Sequence, residues 1–292
     1  LLEFIEEIEP VVSRHLPKYE VIDFLCLSDY AHQTARAWST DRWALVGEAG
    51  AFVDPFYSPG SDFIGLANSF TTELIRIERA GEPTFEQRVR ELNVHYRALI
   101  NGSVNIYARC APVLGHAKAM GHKLFCDNFS YWSYTVQYFL QGVYKLTGPA
   151  LEAFQPIGMR FVELSNYLQG FLRHWALLSP QVKPTPGFTG MPVWPSALVD
   201  AHLALQRTMT AAETKDYMAG QLALEHELAA EVVLRATQEL EPDVARQLLE
   251  VSEFASWGVS ISAERLAAEE LVGRARRKAL GAMAKDVERH LG

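Results

Sequence analysis

The residues best suited to chemistry lie in one run, Gly47-Glu48-Ala49-Gly50-Ala51-Phe52-Val53-Asp54-Pro55-Phe56-Tyr57-Ser58-Pro59-Gly60. Glu48 is a single acid at the exit of an apolar stretch. A carboxylate only accepts hydrogen bonds, so an acid placed there suits a sugar-like chain of hydroxyls, which is rich in donors. At the far end of the run, Ser58 is a good helix N-cap, Pro59 suits the first helical position, and Gly60 allows a ligand close to the backbone. A helix start of this kind concentrates free N–H groups and positive dipole, and can hold an anion or a developing negative charge.

Two elements must position that run. Residues 42–46 read as a short buried strand before it. After it, Phe63, Leu66, Phe70, Leu74 and Ile77 recur at helical spacing and define a buried stripe. Further strands are expected at 21–27 and 31–38, the second returning against another strand, and a helix from the start to about Leu16. From Thr84 onward nearly everything reads as helix, over 85–110, 123–145 and 151–178, with three or four more beyond Pro195. A Pro/Gly-rich connector at 179–195 divides that region. The expected fold class is α/β plus all-α: residues 1–83 as the end of an α/β domain, 84–292 as a helical domain.

The segment from about Tyr30 to Ile75, with Ala35-Arg36, Gly47-Glu48, Val53-Asp54-Pro55 and Ser58-Pro59-Gly60, resembles the flavin-dependent, tryptophan halogenase-like family. More broadly it resembles the para-hydroxybenzoate hydroxylase class of FAD-dependent monooxygenases. The resemblance makes 1–83 the C-terminal part of an FAD-binding domain. It implies cofactor contacts at Glu48, Asp54, Pro55 and Gly60 and a halide loop at Ser58, Pro59 and Gly60. It also implies an organic, aromatic or hydrophobic substrate, oxygen transfer from O2 through a flavin C4a-hydroperoxide, a halide, and a flavin reductase as partner. The dinucleotide fingerprint GxGxxG and the family's relay lysine do not occur here, and the resemblance would put both before Leu1.

Three departures qualify it. Glu48 replaces the usual Asp and reaches one methylene further. The family's catalytic Glu before the loop Ser is Tyr57 here, and a phenol, with a reference pKa of about 10, is no carboxylate base near neutral pH. Pro59 has no N–H for a halide. No catalytic residue is therefore assigned, and hydroxylation competes with halogenation. The competing reading is a non-catalytic helical domain or binding homologue with an incomplete flavin site.

The remaining sequence is less telling. Phe129, Tyr131, Trp132, Tyr134, Tyr138 and Phe139, with Phe171, Trp175 and Trp194, are core residues on one reading and substrate-cavity lining on the other. His116 and His122 are six apart and lack further ligands at metal spacing, so no metal is expected. Glu225, His226, Glu227 and Glu231 read as a solvated helix face. Arg274, Arg276, Arg277 and Lys278 read as a cationic helix end. A net charge of −8 over 292 residues disfavours nucleic acid and anionic membrane surfaces. Three scattered cysteines favour a reducing cytoplasm.

Overall fold

The computed structural model describes residues 2–28, 30–108, 110–179, 195–259 and 282–291. The chain divides into two compact units, Leu1–His32 and Gln33–Gly292. In the first, α1 (Leu2–Ile8) and α2 (Pro10–Ser13) lead to a 3-10 turn, Leu16–Lys18. The helix expected to run to about Leu16 breaks at Glu9, at φ −125 and ψ 66, because a proline ring disfavours helical geometry in the residue before it. No described residue of this unit is buried. The strand expected at 21–27 does not form. A strand needs a ladder partner, and the paired strands among the described residues are β1 (His32–Gln33) and β2 (Ala51–Phe52) alone.

The expected strand at 31–38 shrinks to β1 and a lone antiparallel bridge from Trp38 to Ala44. Residues 42–46 are not a buried strand. They form the return arm of a tight loop turning at Arg42 (φ 64), closed by Leu45 N–H to the Ala37 carbonyl at 2.8 Å. The reason is a side chain that does the work of a ladder. Asn93 accepts from the N–H groups of Ala37 (2.8 Å) and Trp38 (3.2 Å) and donates to the carbonyls of Trp38 (2.9 Å) and Val89 (2.8 Å). The loop's backbone is thereby satisfied without a sheet. Trp38 goes inside at 1 % exposure, while Trp43 stays 40 % exposed under the Arg36 guanidinium.

The helices follow the apolar periodicity more closely. α3 (Gly60–Arg79) buries Phe63, Leu66, Phe70, Leu74 and Ile77, the stripe that the spacing predicts, and α4 (Phe85–Tyr107) packs on it. Trp38 lies 5.6 Å from Phe70 and 5.1 Å from Tyr96, ring to ring, at the centre of their shared core. Residues 33–83 thus share a core with the helix that follows them.

Beyond α4 come α5 (Ala111–Leu114), α6 (Ala117–Ser130), a π-helical segment (Tyr131–Thr135) and α7 (Val136–Leu140). The single helix expected over 123–145 is therefore interrupted. Then follow α8 (Pro149–Glu152), α9 (Gln155–Leu178), α10 (Ser196–Ala204), α11 (Ala211–Gln238), α12 (Pro242–Val251) and α13 (Ala282–Leu291). α9 lies centrally against α6, α11 and α12, around Phe129, Phe171, Trp175 and Trp257. Phe129, Phe171 and Trp175 are core residues, each fully buried. Trp194, most of the 179–195 connector and the basic run from Arg274 to Lys278 lie outside the described residues.

One reading of α11 is corrected. Glu225 and Glu231 are buried, at 0 % and 6 % exposure, and do not form a solvated face. α6, α9, α12 and α13 all pack on this helix, and from Leu224 to Thr237 no residue of it is exposed. The Ser130 hydroxyl donates to Glu225 Oε1 at 2.7 Å, and Oε2 has no hydrogen-bonding partner among the described residues. Burial raises the Glu225 carboxyl to about 8.

Candidate functional site at the start of α3

Glu48 lies in a 3-10 turn, Gly47–Ala49, and is exposed in this chain. Asp54 and Pro55 are also exposed. Asp54 Oδ1 accepts from the Phe56 N–H at 2.8 Å, and the Pro55 carbonyl accepts from the Ser58 N–H at 2.8 Å. Ser58 is not the helix cap. Pro59 is the N-cap, with no side-chain capping bond, and Gly60 is the first helical residue. The shift by one arises because Tyr57 and Ser58 both take left-handed geometry, at φ 65 and 55, which a cap residue does not adopt. Left-handed geometry in a non-glycine residue costs on the order of 1–3 kcal/mol and persists only where surroundings hold it.

What holds it comes from α6. The Tyr57 hydroxyl donates to Asp127 Oδ2 at 3.0 Å. Lys123, one turn earlier and fully buried, pairs with the same oxygen at 2.9 Å and donates to the Ile106 carbonyl (2.7 Å) and Gln169 Oε1 (2.5 Å). Gln169 Nε2 returns a bond to Asp127 Oδ1 at 2.7 Å. The buried ion pair has its hydrogen-bonding capacity filled, the condition under which such a pair is tolerated. A further turn along, the Tyr131 hydroxyl lies 3.1 Å from both carboxylate oxygens of Asp62, in the first turn of α3.

Three phenols and three carboxylates therefore surround the helix start. Burial first, and then Asp127, pushes the Tyr57 phenol far above its usual range. Its ring is 38 % exposed while the hydroxyl turns inward. Tyr107, whose ring lies 6.2 Å from those of Phe56 and Tyr57, is raised by burial and then by Asp127, Asp54 and Asp62. Burial also raises Asp127 and Asp62, against the lowering effect of the bonds they accept. These phenols stay neutral, and those of Tyr57 and Tyr131 donate to carboxylates, so the site has no phenolate base. Among the described residues, no three His, Cys, Asp or Glu side chains form a metal-ligating group.

The fit to a flavin turns on Gly60. A Cβ built there meets no atom within 4 Å, and the residue is not left-handed. Neither packing nor backbone geometry in this chain requires glycine at 60, and the open space is what a ligand approaching the helix start would occupy. Lys123, Asp127, Gln169 and Tyr107 escaped the sequence reading. The available signal was a Lys and an Asp four apart, hence on one helix face, amid Leu124, Phe125, Cys126 and Phe129.

No protein-family model matches this chain, and no solved structure matches it. Over 133 residues it is 23 % identical to the flavin-dependent halogenase chlA of Dictyostelium discoideum, a stretch covering 45 % of this chain and 22 % of that protein. The chain thus spans about a fifth of the length of the curated relative it matches. The similarity marks a distant halogenase-like relationship. Among the described residues, no helix is long and apolar enough to cross a membrane.

Proposed function

We propose that this chain is part of an FAD-dependent oxidoreductase of the halogenase-like group, and that the 47–60 loop with the start of α3 is its second flavin-contacting segment. The observation that carries the reading is the open, uncapped helix start at Gly60, in a chain related to a flavin-dependent halogenase. Glu48 would accept from the ribityl hydroxyls, Asp54 and Pro55 would border the ring, and the Gly60 end of α3 would face it with positive dipole. Bound flavin, once reduced by a partner reductase, supplies the activation of O2 for oxygen transfer to a halide or an organic substrate. The exposure of Glu48 favours the competing reading, a binding homologue without catalysis.

Halide handling should diverge. With Pro59 at the cap, the first N–H groups of the helix belong to Gly60, Ser61 and Asp62, and the Asp62 carboxylate in that first turn adds negative charge near where a halide would sit. Losing one charge-assisted bond costs about 1–3 kcal/mol, or roughly tenfold or more in halide affinity. The full-length protein, given FAD, a flavin reductase and a panel of aromatic substrates, should brominate in preference to chlorinating, or hydroxylate without halide. Product analysis by mass spectrometry decides this. Efficient chlorination of free tryptophan would contradict it, and no FAD uptake at all would leave the non-catalytic reading.

A further inference from the structure

Asp127 and Tyr131 are four residues apart, one turn along the same stretch of chain, and so share a face. Each reaches α3 from that face: Asp127 takes the Tyr57 hydroxyl two residues before the cap, and Tyr131 takes the Asp62 carboxylate three residues after it. Asp54, Pro55, Tyr57 and Ser58 are otherwise exposed. We propose that Asp127 and Tyr131 are positioning residues, a two-point clamp that holds the left-handed Tyr57–Ser58 turn and fixes where the N-terminus of α3 faces its ligand. The clamp rests on the proposed flavin reading only for the identity of that ligand.

Other roles fit these groups less well. Lys123 spends its donors on Ile106, Gln169 and Asp127, so no N–H remains to relay anything to the loop. Asp127 accepts from Lys123, Gln169 and Tyr57, so its oxygens are engaged on three sides. With its partners drawn from three elements, the cluster acts as an anchor. Lys123 neutralises Asp127, so the anchor carries no net charge toward the loop. The π-helical geometry begins at Tyr131 itself, the second clamp point, and π segments often accompany functional sites because they re-aim a side chain within a helix.

Tyr57→Phe removes one hydroxyl and leaves the ion pair intact. Amide hydrogen exchange on the 292-residue chain should show Ser58, whose N–H bonds the Pro55 carbonyl, exchanging about tenfold faster, the equivalent of one charge-assisted bond. Amides of α6 and α9 should be unchanged. Tyr131→Phe should do the same at Phe63, whose N–H bonds the Pro59 carbonyl at 3.1 Å. In the full-length protein, both variants should weaken FAD binding several-fold while the melting temperature falls by no more than the few degrees that one hydrogen bond accounts for, a pattern that general core support would not produce. Unaltered exchange at Ser58 and Phe63 would overturn the clamp. So would faster exchange spreading through α6 and α9, since the hydroxyls would then be supporting the core. If the wild-type full-length protein binds no FAD, the flavin reading alone fails, and the exchange result still decides the clamp.

Discussion

Lys123→Met should destabilise the chain by about 3–5 kcal/mol, the usual cost of leaving one partner of a buried ion pair unpaired. Methionine keeps the stem of the side chain and loses the ammonium. Asp127, at 6 % exposure, would keep its bonds from Tyr57 and Gln169 but lose its neutralising charge. Ile106 and Gln169 would lose a donor as well. The double variant Lys123→Met/Asp127→Leu should recover part of that loss, because an apolar pair of similar volume removes the uncompensated charge while Tyr57 and Gln169 lose their acceptor. Urea midpoints of the two variants check this. A double variant no more stable than the single one would mean that packing, and not charge, dominates at the site.

The second large effect is a pH dependence set by Glu225. Its ordinary value near 4.5 is raised to about 8 by burial, in the first place, with the Asp127 charge adding to it and the Ser130 bond opposing it. The folded chain therefore holds a proton that the unfolded chain has lost throughout pH 4.5 to 8. The stability contribution is fully present below 4.5, falls as pH rises through that window by up to about 1.4 kcal/mol per unit, and levels off above 8. Glu225→Gln keeps an oxygen for Ser130 and cannot ionise. It should match wild type near pH 4.5 and exceed it by several kcal/mol at pH 8.5. Urea titrations across this range are the check. Parallel pH profiles for the two proteins would show that Glu225 is ionised and satisfied in the fold.

Much of the helical architecture was legible because burial on one side leaves a 3.6-residue trace. The stripe from Phe63 to Ile77 and the spans of α4 and α9 follow directly from it. Strands were overread. Residues 21–27 and 42–46 have the right composition, yet strands exist only by pairing, and the pairing job near Trp38 went to the Asn93 amide, 55 residues away. The cap was misplaced by one because two successive left-handed residues, Tyr57 and Ser58, leave no distinct local signature. Glu225 was misread for a related reason. Whether an acid on an amphipathic helix meets water depends on how many neighbours close over that helix, and sequence spacing does not report that number. The clamp was the least legible part, since Tyr57 and Asp127 meet across 70 residues.

The most direct measurement is an FAD titration of the full-length protein carrying Gly60→Val, followed by fluorescence or calorimetry. A Cβ at position 60 meets no atom within 4 Å in this chain, and the position is part-exposed, so folding stability should shift by about 0.5 kcal/mol or less, as for an ordinary surface substitution. A flavin seated over the start of α3 would lose that space. Wild type should bind FAD, and Gly60→Val should bind it at least about tenfold more weakly at an unchanged urea midpoint. Equal FAD affinity in the two proteins, or no FAD binding by wild type, would contradict the assignment of this loop to a flavin.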